Sequence, residues 1–91
     1  MMADLEEAER LFEELETDDV GQKRYQMHRI FDILVEEVYR EEGRDLPGIN
    51  ERVEQLRGSR GYFYKLAQEF LVSSSTLEKE RKLEKMLEHL G

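Results

Sequence analysis

Cysteine and tryptophan are absent from this chain, and proline and asparagine occur once each, at Pro47 and Asn50. Without cysteine there is no disulfide framework, no thiolate nucleophile and no cysteine-based metal site. That lack is compatible with a cytoplasmic protein. Long apolar runs are missing too, and nothing approaches the roughly 18 residues that a membrane helix needs. The first residues, MMADLEEAER, are acidic and amphipathic, the opposite of a signal peptide. Histidine is scarce. His28 and His89 belong neither to a Glu-x-x-His pairing nor to His-Glu-x-x-His. Carboxylate pairs such as Glu36 and Glu37 are commonplace in a chain so rich in glutamate. No catalytic residue, no metal site and no cofactor is expected.

What the chain has is charge. Charged residues make up 40% of its 91 positions, with 14 Lys and Arg against 22 Asp and Glu, a net of −8. The scarcity of asparagine beside so many Glu and Arg suits a thermophile's protein. The sign is unevenly spread. Residues 1–56 hold 7 basic and 17 acidic side chains, a balance of −10, whereas residues 57–91 hold 7 basic and 5 acidic, a balance of +2. Either helix faces are simply solvated, or the two ends meet different partners.

Apolar residues recur at helical spacing and never with a period of two. Leu5, Ala8, Leu11, Phe12 and Leu15 mark a first helix from about Asp4 to Glu16, interrupted by Asp18 and Asp19. Asp19 with Gln22 forms a capping box that opens a long second helix, about Val20 to Glu42, and Gly43 suits its end. Met27, Phe31, Leu34 and Val38 make its main stripe, which Ile30, Ile33 and Val35 widen beyond one face. Such a helix is either central to the bundle or buried against a second chain, so a homodimer through residues 20–42 is one expectation.

Asp45, Pro47 and Gly58 bracket a third helix from about Leu46 to Arg57, with Ile49, Val53 and Leu56 on its stripe. Ser59 is placed to cap a fourth, roughly Arg60 to Leu71, which buries some combination of Phe63, Leu66, Ala67 and Phe70. Ser73, Ser74 and Ser75 favour a turn, because serine hydroxyls compete with helical hydrogen bonds; the rival reading is one continuous helix from Tyr62 to Leu90, since serine is tolerated mid-helix. Ser75 with Glu78 makes another capping box before a fifth helix to Leu90. The expected fold is all-α, one compact domain over residues 1–91, a bundle of four to five short-connected helices.

Residues 63–83 resemble the helix-turn-helix of bacterial DNA-binding regulators. Ala67 matches the small residue between the helices, Phe70 and Val72 flank the turn, and Leu77 matches a core position of the second helix. Leu71 stands where that family has Gly, and Glu80 where it buries a small or apolar residue. The resemblance implies that Ser73, Ser74, Ser75, Glu78, Lys79 and Lys82 face the DNA major groove.

Two other stretches lack acid altogether. Gly21–Phe31 holds Lys23, Arg24, His28 and Arg29, which either meet a partner's acidic surface or a phosphate, or pair with the acidic first helix. Arg57–Lys65 interleaves Arg57, Arg60 and Lys65 with Tyr62, Phe63 and Tyr64, a composition that anchors interfaces. Three consecutive aromatics cannot all face inward, so Tyr62 or Tyr64 should be partly exposed. The expected function is a small non-enzymatic regulatory or adaptor module that binds a protein partner. Its surface is expected at Arg57, Arg60, Tyr62, Tyr64 and Lys65, then at Arg24, His28 and Arg29. The alternative is a DNA-binding regulator using Ser73 to Lys82.

Overall fold

Four α-helices occur in the computed structural model, which describes residues 5–15 and 19–90. They are α1 (Leu5–Glu13), α2 (Val20–Glu41), α3 (Gly61–Val72) and α4 (Thr76–Leu90), with a 3-10 turn at Glu54–Leu56 before α3. No strand occurs among the described residues, and the chain is an all-α bundle with a radius of gyration of 12.6 Å. Asp4, Glu16 and Asp18 lie outside the described residues. None of the described helices is long and apolar enough to cross a membrane.

The ends of α2 follow from its flanking residues. Asp19 accepts a hydrogen bond from the Gln22 backbone N–H at 3.1 Å, satisfying one of the orphan donors of the first turn. At the other end Gly43 takes φ 65°, the left-handed conformation. Its N–H then donates to the Arg40 carbonyl and the next, from Arg44, to Tyr39, the paired bonds of a Schellman motif.

Burial explains the wide apolar stripe of α2. Met27, Ile30, Phe31, Ile33, Leu34, Val35, Val38 and Tyr39 are all buried within the single chain. Helices α1 and α4 pack on α2, α3 reaches it through a Phe31–Phe70 stack, and the 44–56 segment reaches it through Tyr39. The exposed large apolar residues of α2 are Val20 and Tyr25. Central packing therefore accounts for the stripe, and residues 20–42 keep no continuous apolar strip for a second copy.

The helix expected over Leu46–Arg57 does not form. Three of its carbonyls are taken by side chains instead of helical N–H groups. The Tyr39 hydroxyl donates to the Arg52 carbonyl at 2.5 Å, Arg52 Nε donates to Pro47, and Arg44 Nη2 donates to Gln55. The N–H groups of Glu51, Leu56 and Arg57 then close shorter turns onto Gly48, Val53 and Glu54. Only half of the predicted stripe reaches the core: Leu56 is buried and Val53 partly so, but Leu46 is exposed and Ile49 is 69% exposed. Half a stripe gives too little burial to hold a helix of this length, which is marginal without tertiary packing.

Helix α3 starts at Gly61, with Arg60 as the capping residue and no side-chain cap. Ser59 does not cap it. Its hydroxyl accepts from Arg44 Nη1 at 3.2 Å and donates to Glu42 at 3.5 Å. The expected break at Ser73–Ser75 is present. The Glu78 N–H donates to Ser75 Oγ, while Ser73 Oγ accepts from the Ser75 N–H and donates to the Glu78 carboxylate.

Gly43 and Gly58 provide a paired test of the backbone argument. A Cβ at either position meets no atom within 4 Å, but only Gly43 has positive φ. Gly43→Ala is expected to cost about 1–2 kcal/mol of left-handed strain, whereas Gly58→Ala raises stability by about 0.4–1 kcal/mol. Urea denaturation of both variants checks this; equal effects would contradict it.

Candidate functional site

The residues singled out in the sequence separate into four groups, three of which are occupied with holding the fold. The first surrounds Phe70, fully buried in the last turn of α3. Its ring stacks on Phe31 at 4.8 Å and 8°, and His28 meets it edge-on at 5.2 Å. Lys79, only 5% exposed, places its ammonium 4.5 Å from the ring centroid and donates to the Phe70 carbonyl at 2.6 Å. A cation at the C-terminal carbonyls of a helix is favoured by the helix dipole. Lys79, expected on a DNA-facing surface, is therefore a buried strut between α3 and α4. Burial, then the Arg24 charge, hold its pKa below the ordinary lysine value.

Arg24 belongs to the same junction. Its guanidinium donates to the Ser74 carbonyl at 2.6 Å and to Thr76 Oγ1 at 3.2 Å, tying α2 to the turn. His28 has its pKa lowered by partial burial and next by Lys79, which opposes a second cation there. Arg29 lies 4.0 Å from Glu7 of α1, the intramolecular pairing considered for this stretch, and Lys23 pairs across to Glu80 of α4 at 3.3 Å.

The second group is a clamp between the end of α2 and the start of α3. Arg60 binds Glu42 through Nε and Glu41 through Nη2, both at 3.0 Å, and Arg44 binds Glu42 at 3.0 Å. Arg60, expected on a partner surface, is thus spent on two carboxylates. The third group is Arg57 and Tyr64. Arg57 pairs with Glu54 and covers the Tyr64 ring, whose hydroxyl donates to the Glu54 carboxylate at 3.2 Å.

The fourth group is the α3–α4 face. Tyr62 and His89 meet edge-on at 5.3 Å, Glu69 pairs with Lys82 at 2.5 Å, and Ser73 bonds Glu78. These pairs run the length of α3 in antiparallel order, as in an αα-hairpin. Lys65, on the face of α3 that carries Tyr62 and Glu69, is exposed. On α4, Leu77, Arg81 and Lys85 follow one another at four-residue steps and share an exposed line. Leu77, expected as a core residue, is 57% exposed, because Lys79 and Leu83 take the inward positions. Ser75, Leu77, Glu78, Arg81, Lys82 and Lys85 line a shallow groove of about 440 Å³.

Arg81 and Lys85 were not among the expected site residues. Their spacing from Leu77 was visible, but six of the nine residues of LEKERKLEK are Lys or Glu, so the pattern did not stand out. No group of three His, Cys, Asp or Glu suited to a metal occurs among the described residues. Compared with protein-family models, with curated proteins and with solved structures, the chain matches none.

The clamp makes stability depend on pH with a definite sign. Hydrogen bonds from Arg44 and then Arg60 hold the Glu42 pKa below its ordinary value. Its contribution is complete above the unfolded-state carboxylate pKa and is lost as pH falls through the lower folded-state value. Glu42→Gln is expected to lower the urea midpoint at neutral pH, with the gap to wild type narrowing in acid. A gap independent of pH would contradict a charge-based clamp.

Proposed function

We propose that the chain is a small non-enzymatic regulatory or adaptor module that binds a protein partner through its α3–α4 face. One observation carries this reading. Of the 14 Lys and Arg, nine sit in ion pairs within the chain, and Arg24 and Lys79 are bound to neutral acceptors. The remaining three, Lys65, Arg81 and Lys85, make no ion pair among the described residues, and all three belong to the hairpin. The hydrogen bond from Lys82 first, and then the charges of Lys65 and Lys85, hold the Glu69 pKa below its ordinary value.

Apolar side chains stand beside these cations. Tyr62 is 53% exposed, Val72 is 78% exposed, and Leu77 completes an apolar rim around the turn. Exposed aromatic and aliphatic residues next to unpaired cations are the materials of a protein interface. Of the surface first expected, Tyr62 and Lys65 fit this role best. Arg60 is committed to the clamp, and Arg57 and Tyr64 to Glu54.

Capture on immobilised protein, with captured chains identified by mass spectrometry, tests the reading. Tyr62→Ala with Lys65→Ala is expected to lose the captured partner while staying folded, with the melting temperature lowered only by loss of the Tyr62–His89 contact, since both side chains are exposed. If wild type retains no protein above a mock surface, the adaptor reading is wrong.

A second reading draws on the same ridge. A helix-turn-helix regulator would use Arg81, Lys82 and Lys85 for phosphates, with Ser73, Ser74 and Ser75 near the backbone, and would do without Lys79. Duplex DNA should then bind with an affinity that falls steeply with salt, and Lys85→Ala should reduce the slope by about one. Absence of duplex binding at low salt ends this reading.

A further inference from the structure

We infer that the groove along the outer face of α4 is the docking site for an acidic segment of a protein partner, one carrying an apolar anchor. The inference rests on the adaptor reading and specifies the chemistry of what is bound. Arg81 and Lys85 lie one helical turn apart, exposed and free of ion pairs among the described residues, with Leu77 one turn before them. Lys82 adds a third cation to the groove, partly neutralised by Glu69. Leu77, Arg81 and Lys85 at steps of four match the i, i+4, i+8 side chains of a helix laid alongside.

Charge complementarity selects an acidic occupant, and two details favour a protein over a nucleic acid. Leu77 opens the line of cations, and an aliphatic side chain gains by covering another apolar group but gains nothing from phosphate. Glu78 also lines the groove, where a continuous run of phosphates would meet a carboxylate. A peptide can place an uncharged or donor group opposite Glu78; a phosphate backbone repeats its charge at every step.

The test uses the full chain and three labelled probes read by fluorescence anisotropy. One is an amphipathic helical peptide with Glu on one face and Leu on the other, the second its twin with Gln for every Glu, and the third a duplex DNA. The acidic peptide is expected to bind saturably, and the Gln twin at least about tenfold more weakly, equivalent to about 1.4 kcal/mol. Leu77→Ser is expected to weaken the acidic peptide severalfold, and Arg81→Glu with Lys85→Glu to abolish its binding. These side chains are exposed, so the melting temperature should stay at the wild-type value, and Glu84→Lys controls for general surface charge. Equal binding of the Gln twin, no saturable binding of the acidic peptide, unchanged binding by the charge-reversed variant, or tighter binding of DNA would each overturn the inference. A partner captured equally by wild type and by the charge-reversed variant would overturn the groove and leave the adaptor reading standing. Failure of wild type to capture any partner would remove the adaptor reading itself.

Discussion

The arrangement of this protein depends on the contact between Lys79 and Phe70. An ammonium taken out of water costs several kcal/mol unless it is compensated. Two groups on one residue compensate it here. The Phe70 carbonyl, among the last of α3, accepts at 2.6 Å at the negative end of the helix, and the ring presents its electron-rich face at 4.5 Å. The same ring stacks on Phe31 of α2, so one side chain joins three helices. Because Lys79 lies in the first turn of α4, this contact folds α4 back along α3. The pairs at Glu69–Lys82 and Tyr62–His89 then fall into antiparallel register. With Lys79 facing inward, four-residue steps from Leu77 place Arg81 and Lys85 outward. The buried cation thereby fixes which cations remain exposed.

That division bears on how the many ion pairs should be weighed. An exposed pair such as Arg57–Glu54 contributes little, typically below about 1 kcal/mol. The Glu42 clamp differs because Arg44 and Arg60 both bind one carboxylate while Ser59 bonds it as well, so several groups share one geometry across α2 and α3. The more informative result is negative. A chain with eight more acids than bases could pair every base it has, yet among the described residues Arg24 and Lys79 bind neutral acceptors instead and Lys65, Arg81 and Lys85, all on one hairpin, make no ion pair. Local supply does not explain this, since Glu78, Glu84 and Glu88 are on the same helix.

Legibility in the sequence followed the range of the interactions. The limits of α2 were readable because Asp19, Gln22 and Gly43 act on backbone groups within a few residues of themselves. The Ser73–Ser75 turn was readable for the same reason. The segment from Leu46 to Arg57 was not, because Tyr39 and Arg44 withdraw its carbonyls from outside. Nor was Lys79, whose partner is nine residues away on another helix and whose residue type ordinarily marks the surface. The broad stripe of α2 was seen correctly, but periodicity alone could not distinguish burial within one chain from burial between two. At the candidate surface, Tyr62 and Lys65 were identified from composition. The same rule also included Arg60, whose two carboxylate partners come from the end of α2.

The balance of −8 and the exposed cations of α4 act over different distances. From Leu77 to Lys85 the ridge extends about 12 Å at 1.5 Å per residue. At physiological ionic strength exposed charges are screened beyond about 8 Å. A short acidic segment on the ridge would therefore sense chiefly the charges that line the groove, Arg81, Lys82 and Lys85 against Glu78. A nucleic acid duplex, with a charge every ~1.7 Å, extends past both ends of the ridge and over carboxylates such as Glu84 and Glu88. On the proposed reading the acidic background would select against long polyanions, while the ridge would still attract short ones. On this argument the overall charge and the local ridge are consistent: together they favour a compact acidic ligand with an apolar contact for Leu77.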